Sequence, residues 1–281
     1  MRVRLIIDST ADLPENVKRK LDVVPLTVNF GNEEYLDGVT ITHEEFYEKL
    51  IETDVLPHTS QASPEMFRRA YDRVTAAGDS AVVLTIAGAL SGTYQSAVIA
   101  AQGYENVYVV DSRSAAIGTG ILARLALRLI AGGLSAGEVA EKLEEERENV
   151  YVIALLDTLE YLKKGGRISK TAAIAGGLLG LKPVLCIEHG EIKALGKARG
   201  SKQANNLLAQ EIEKVGGVDF SRPILLGYTG LSDRLMQKYI QDSASLWQHS
   251  TDELPTTIIG SVIGTHAGPG AVAVAFFKKK E

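Results

Sequence analysis

The 281-residue sequence has a single cysteine, Cys186, and this scarcity limits the chemistry open to the chain. One cysteine cannot form a disulfide within the chain, nor can it supply the several thiolates of a structural metal cluster. Cys186 lies in the apolar run PVLCIE, where an inert buried thiol is expected. The five histidines do not show the spacing of metal ligands either. We therefore expect no metal site.

The sequence also lacks a long apolar run and an excess of positive charge. No stretch reaches the roughly 18 apolar residues of a membrane span, and the first strand-like segment is not followed by the apolar region of a signal peptide. The formal net charge is −5, so electrostatics gives no reason to bind nucleic acid or an anionic membrane. These features predict a cytoplasmic globular protein without stable membrane insertion and without a nucleic-acid partner.

The two halves of the chain differ in their pattern of apolar and polar residues. Up to about residue 150, short apolar runs alternate with helical patterns, which is typical of an α/β domain with a largely parallel sheet and helices on both faces. Beyond it, a hairpin turning at His189–Gly190 and a final pair of apolar strands around Gly-Pro-Gly predict an α+β domain with a mainly antiparallel sheet. We place the domains at 1–150 and 151–281.

Small hydroxyl residues follow several strands of the predicted parallel sheet. They occur in Asp8-Ser9-Thr10, His58-Thr59-Ser60-Gln61, Leu90-Ser91-Gly92-Thr93 and Asp111-Ser112. Each segment alone is explained by a helix cap or a turn. Because ligands gather outside the carboxyl ends of parallel strands, the four together also favour a polar site at one sheet edge.

Ser91 does not match two catalytic templates. A hydrolase elbow needs G-x-S-x-G, but one residue too many separates Gly88 from Ser91. A Walker loop needs a lysine, and none occurs between Ser80 and Gln102. What remains is a set of hydroxyls and free backbone N–H groups at a helix N-terminus, which can bind an anion.

Three cationic or titratable side chains could complete such a site. Arg167 follows a Gly-Gly pair, Arg199 lies between a hairpin strand and a helix, and His266 lies in the glycine-rich segment GTHAGPGA. Arginine binds carboxylate or phosphate oxygens in a bidentate manner. The alternatives are arginines exposed to water and a structural histidine.

The segment 170–185, KTAAIAGGLLGLKPVL, is rich in small residues and leucine and has almost no charge. It is interpreted either as a buried helix and strand or as one wall of an apolar tunnel whose open end meets the polar site.

Together these residues resemble the DegV family, which includes the fatty-acid-binding FakB subunits of bacterial fatty acid kinase. The resemblance covers essentially the whole chain and rests on the order of its motifs. Ala62 departs from the family loop T-S-Q-P-S, which has proline there. The motifs are IIDSTADL, YLDGVTI, H-T-S-Q-x-S, LSGTYQSA, VVDS, Gly-Gly-Arg-Ile-Ser, LKPVL, K-A-R-G and G-T-H-x-G-P-G.

The resemblance implies a two-domain protein that holds one long-chain fatty acid of the palmitate, stearate or oleate type between its domains. It implies that Thr59 and Ser91 hydrogen-bond the carboxylate, with Arg167 and His266 beside the head group. The remaining head-group residues it implies are Ser60, Gly92 and Thr93.

The resemblance also implies that a separate ATP-using kinase subunit, FakA-like, phosphorylates the bound fatty acid. Arg199 would then assist phosphoryl transfer or docking, with support from Arg167 and His266. The chain itself would need no cofactor and would contribute no catalytic residue of its own. Two alternatives stay open at this point. The first is a stand-alone enzyme, which would be either a serine-dependent acyl hydrolase that uses a Ser91–His266 pair or a small-metabolite phosphotransferase. The second is a lipid-responsive regulatory protein.

Overall fold

The fold is taken from a computed structural model that describes residues 2–168, 181–248, 250 and 253–279. The strands are β1 (Val3–Asp8), β2 (Asp22–Val24), β3 (Thr27–Phe30), β4 (Glu33–Leu36), β5 (His58–Ser60), β6 (Ser80–Thr85), β7 (Val107–Asp111), β8 (Val150–Leu155), β9 (Lys182–Glu188), β10 (Glu191–Ala198), β11 (Leu225–Tyr228), β12 (Thr256–Ile258) and β13 (Val272–Phe277). The α-helices are α1 (Glu15–Lys18), α2 (His43–Glu52), α3 (Pro64–Ala76), α4 (Thr93–Ala100), α5 (Ile117–Ala131), α6 (Ala136–Glu146), α7 (Glu160–Lys164), α8 (Gly200–Lys214), α9 (Arg234–Asp242), α10 (Ala244–Trp247) and α11 (Ser261–Ala267).

The first sheet consists of parallel strands in the order β2-β1-β6-β7. Every residue of β6 is buried, as expected for a strand covered on both faces. Residues of α5 and α6 pack on one face, and residues of α2, α3 and α4 pack on the other. The predicted parallel α/β arrangement is therefore confirmed. The loops after β1, β6 and β7 meet at its carboxyl edge.

The largest sheet has the order β10-β9-β8-β13-β11-β12 and is antiparallel except for the pair β11–β12. Its side chains alternate between two cores: Ile153 packs with residues of α8 and α9, whereas Val152 faces α5. The predicted mainly antiparallel sheet is confirmed. The hairpin turn at His189–Gly190 is also confirmed, with positive φ angles of 52° and 80° that suit a tight turn.

One hydrophobic core connects the two larger sheets. It contains Ile7 from β1, Ile121 from α5, Val152 from β8 and Phe277 from β13. Burial of these apolar side chains joins the two halves of the chain. The division into domains at residue 150 stays a prediction.

A small antiparallel sheet, β4-β3-β5, differs from the expected arrangement. The apolar run VVPLTVNF at 23–30 predicts a single strand, but Pro25 separates β2 from β3, which join different sheets. The run VTI at 39–41 likewise predicts a short strand, but in the structure this region contributes one bridge, between Asp37 and Ile41. The small sheet matters for function because β5 carries Thr59, paired with Val28 of β3.

Two further local predictions are wrong. The segment STADLPENVKRKL predicts a first helix capped by Ser9 or Thr10, but this helix begins after Pro14. The Ser9 hydroxyl does not cap it and instead accepts from the N–H of Leu26 at 3.0 Å. The final segment is not a pair of strands around Gly-Pro-Gly. The helix α11 lies between β12 and β13, and His266 is in its last turn.

Candidate functional site

A cavity of about 420 Å³ lies between the carboxyl edge of the parallel sheet, one face of the antiparallel sheet and α11. Its volume falls in the range of small-molecule pockets. Most of its lining is apolar, and among the described residues Arg167 is its one charged side chain. The apolar lining includes Val152, Ala154, Leu185, Ile187, Ile259 and Ala273.

One end of the cavity is polar. The contacts of Thr59 with His266, of Arg167 with the Leu90 carbonyl and of Gly92 with Gln61 bring the polar lining residues together. The lining residues predicted from the sequence are Thr59, Ser60, Ser91, Gly92, Arg167 and His266. The predicted Thr93 lies behind this lining, fully buried, and its hydroxyl is 2.9 Å from that of Ser91. The sequence prediction of a hydroxyl-rich sheet edge is therefore matched by the positions of these side chains.

Ser91 is not the N-cap of α4, since Gly92 occupies that position without a side-chain cap. The Ser91 hydroxyl instead accepts from the backbone N–H of Thr93 at 3.3 Å. A Cβ at Gly92 would lie 2.0 Å from Oε1 of Gln61, so any larger residue there would require the Gln61 side chain to move. Gln61 is held by a 2.9 Å hydrogen bond to Ser96.

Gln61 was not singled out from the sequence, although it belongs to the H-T-S-Q segment. It lines the polar end of the cavity beside Ser60 and Gly92. The available signal was its position directly after two hydroxyl residues at the end of a strand. Its long amide side chain places a further hydrogen-bonding group at the polar end.

His266 joins the last turn of α11 to the small sheet. Its Nε2 lies 2.9 Å from the Thr59 hydroxyl, and its Nδ1 has no hydrogen-bond partner among the described residues. Gly165 approaches so closely that a Cβ there would lie 2.1 Å from Nδ1. Burial, with a smaller contribution from the Arg167 charge, lowers the pKa of His266 to about 4. The imidazole is therefore neutral at pH 7.

Arg167 places a positive charge at the polar end. Its side chain is held by the backbone: Nη1 donates to the carbonyl of Gly165 at 2.7 Å, and Nε donates to the carbonyl of Leu90 at 3.3 Å. The residue remains exposed to solvent on its outer side. A fixed guanidinium next to several hydroxyls is suited to an anionic group.

Arg199 lies outside the cavity lining. It lies at the predicted junction of β10 and α8, where it is exposed to solvent, and its backbone N–H donates to the side chain of Gln203 at 3.2 Å. The expected tunnel wall over 170–185 falls mostly outside the described residues. Within its described part, Leu185 on β9 lines the cavity.

The hydrogen bonds do not form a nucleophile–base pair. His266 bonds to Thr59 and Ser91 bonds to Thr93, and the described residues include no hydrogen bond between Ser91 and His266. In the described ranges, no group of three potential metal-ligating side chains occurs. No helix among the described elements has the length and apolar character needed to cross a membrane.

The fold and cavity define an α/β protein with an apolar pocket closed at one end by hydroxyls, an imidazole and a guanidinium. The chain belongs to the DegV family, since residues 2–279 match the family described as "Uncharacterised protein, DegV family". A DegV domain-containing protein of Caldanaerobacter subterraneus subsp. tengcongensis is 35% identical over 99% of each chain.

Two solved structures are similar over nearly the whole chain. A DegV family protein from Thermus thermophilus, described for its fatty acid binding, is 36% identical with a TM-score of 0.89, covering 99% of this chain and 100% of that chain. A stearic acid-binding protein from Eubacterium ventriosum is 28% identical with a TM-score of 0.87, covering 99% of each chain.

Proposed function

We propose that this protein binds one long-chain fatty acid, of the palmitate, stearate or oleate type, with its tail in the cavity. The observation that carries the proposal is a single cavity with an apolar body and a polar, positively charged end. The fatty acid binding of the similar proteins from Thermus thermophilus and Eubacterium ventriosum supports it.

In this proposal the carboxylate lies at the polar end. The hydroxyls of Thr59 and Ser91 donate to it, the backbone around Gly92 lies beside it, and Arg167 supplies the opposite charge. Ser60, Thr93 and His266 complete this head-group site. Its support is geometric, because these residues converge on one end of the cavity while the other walls are apolar.

The tail supplies most of the affinity. Burying about fourteen methylenes at ~0.8 kcal/mol each contributes roughly 11 kcal/mol before the entropic costs of association. A hydrogen bond to a charged group contributes about 1.5–3 kcal/mol. The head-group site therefore distinguishes an acid from other amphiphiles and orients it.

The test is direct: the protein is purified from cells, extracted with organic solvent and analysed by mass spectrometry, then offered isotope-labelled palmitate. We expect a stoichiometric endogenous fatty acid that exchanges with the label. Absence of both endogenous lipid and uptake would contradict fatty acid binding.

We further propose that the chain presents the carboxylate to a separate ATP-using kinase subunit of the FakA type, which forms the acyl phosphate. The exposed position of Arg199, outside the cavity, suits docking or phosphoryl-transfer support rather than lipid binding. The absence of a Ser91–His266 hydrogen bond among the described residues argues against the hydrolase alternative.

For this second part, Arg199→Ala is expected to bind palmitate as the wild type does but to yield less acyl phosphate with ATP and the kinase. Arg68→Ala, an exposed arginine on α3, is the matched control. Equal yields from Arg199→Ala and the wild type would remove the proposed role. Turnover of ATP or acyl esters by the isolated chain would contradict the carrier function.

A further inference from the structure

Helix α11 is both a wall of the cavity and the support of His266. Its residues Val262, Ile263 and His266 line the cavity, together with Ile259 just before it. The hydrogen bond between the Thr59 hydroxyl and Nε2 of His266 joins β5 to the far end of this helix. The position of the helix start therefore determines where the imidazole lies.

Side chains from the first 50 residues of the chain hold one backbone group in each of three consecutive residues, 259–261, at this start. The hydroxyl of Tyr47 donates to the carbonyl of Ile259 at 2.8 Å. The N–H of Gly260 donates to Oδ1 of Asp12 at 2.8 Å, and the N–H of Ser261 donates to Oδ1 of Asp37 at 3.2 Å. The residues of each pair are more than 200 positions apart in the chain.

Packing leaves little room for this junction to shift. A Cβ at Gly260 would lie 3.0 Å from Nε2 of His43 and 3.1 Å from Oδ1 of Asp12. One turn later, a Cβ at Gly264 would lie 2.6 Å from the Tyr47 hydroxyl. Glycine at both positions lets α11 approach α2 and the two carboxylates closely.

The two carboxylates are unusually buried, with Asp12 1% exposed and Asp37 2% exposed. In each, the second oxygen has no hydrogen-bond partner among the described residues. Burial raises the pKa of Asp12 to about 8, so keeping this group in the core is unfavourable when it is ionised. The charge of Lys18 and, to a smaller extent, the hydrogen bond from the Gly260 N–H at the start of α11 partly offset this cost.

We propose that Asp12 and Asp37 are positioning residues for the head-group site: they fix the start of α11 so that His266 at its other end meets Thr59. The inference rests on the proposed fatty acid binding. Ser261 and His266 are separated by about 7.5 Å along the helix, so a tilt of roughly 10° at the start moves the far end by more than ~1 Å. Such a shift breaks a 2.9 Å hydrogen bond.

The experiment compares binding of palmitate with binding of its alcohol, hexadecanol, which keeps the tail and loses the charge. In Asp12→Ala and Asp37→Ala, we expect the acid-to-alcohol affinity ratio to fall about tenfold, corresponding to one lost hydrogen bond to a charged group. The asparagine variants keep one acceptor oxygen, and their ratio is expected to fall only about two- to threefold.

Two controls separate positioning from general destabilisation. Glu138→Ala removes the capping box of α6 and is expected to lower stability while leaving the ratio unchanged. Thr59→Ala removes a head-group residue directly and is expected to lower the ratio. Hexadecanol affinity should fall less than palmitate affinity in the aspartate variants, since the apolar lining on β8, β9 and β13 does not belong to α11.

The outcomes distinguish the two proposals. An unchanged ratio in both alanine variants, with a lowered ratio in Thr59→Ala, overturns the positioning role and leaves fatty acid binding standing. A wild type that takes up no palmitate overturns both. If the alanine variants do not fold, the NMR chemical shifts of the His266 ring nitrogens test the positioning role instead. We expect these signals to move in Asp12→Asn and Asp37→Asn. Unmoved signals in both variants would overturn the inference.

Discussion

The two halves of the chain contribute different chemistry to the same cavity. The first half supplies neutral hydroxyl and amide groups from β5 and from the loops after β5 and β6, among them Thr59, Gln61 and Ser91. The second half supplies the apolar sheet face and the two groups that carry or can acquire positive charge, Arg167 and His266. In the proposed function, recognition of the head group therefore requires both halves, whereas burial of the tail depends mainly on the second.

The largest expected effect comes from removing the contribution of the first half. We expect the double variant Thr59→Ala, Ser91→Ala to lose at least about 100-fold in its preference for palmitate over hexadecanol, because two hydrogen bonds to a charge contribute about 1.5–3 kcal/mol each. Isothermal titration with both ligands measures this preference.

The matched control is Thr75→Ala, a threonine on α3 whose hydroxyl donates within its own helix. It should keep the wild-type preference. A double variant that still prefers the acid as strongly as the wild type would place the head group elsewhere in the cavity.

The next effect comes from filling the apolar region of the second half. Ala154 lines the cavity on β8, between Ala273 of β13 and Leu185 of β9. Ala154→Leu adds three carbons there and displaces about three methylenes of a long tail. We expect stearate affinity to fall roughly 50-fold, at ~0.8 kcal/mol per methylene.

Shorter acids, such as laurate, should bind Ala154→Leu about as well as the wild type, because their tails end before the obstruction. Ala131→Leu, at the exposed end of α5, is the control for adding the same side chain. An equal loss for laurate and stearate would show that Ala154 lies beside the head group.

The sequence predicts much of the first half of the site because its signals are local. Hydroxyl residues directly after apolar strands predict a polar edge, since parallel strands end together. Thr42 with Glu45 likewise predicts the start of α2, and the structure has this capping box.

The position of His266 was predicted less well, because it depends on contacts between distant parts of the chain. Glycines around His266 favour a turn, yet α11 forms there because Asp12 and Asp37 satisfy its first N–H groups. These partners lie more than 200 residues away, and no local pattern indicates them. Gln61 was not predicted for a similar reason. Its side chain reaches the polar end by passing close to Gly92, a residue 31 positions away in the chain.

The smallest expected effect concerns the titration of the polar end itself. The folded-state pKa of His266, about 4, lies below its ordinary value of 6.5 because the ring is buried. The folded protein thus resists protonation that the unfolded chain accepts, so stability is lost as the pH falls from about 6.5 towards 4. Over this interval, the free energy of unfolding should fall by roughly 1–2 kcal/mol less in His266→Gln than in the wild type.

Urea unfolding at pH 4.5 and pH 7 measures this difference, and comparison of variant with wild type removes the contributions of other groups. Asp12, whose raised pKa makes stability fall with rising pH, contributes equally to both proteins. Thr59→Val keeps the imidazole but removes its hydrogen bond. Because burial is the main cause of the lowered His266 pKa, the stability of Thr59→Val should change with pH as that of the wild type does. If instead the stability of His266→Gln falls with pH as much as that of the wild type, the His266 imidazole is hydrated in the folded protein. The polar end is then more open to water than the apolar region beside it.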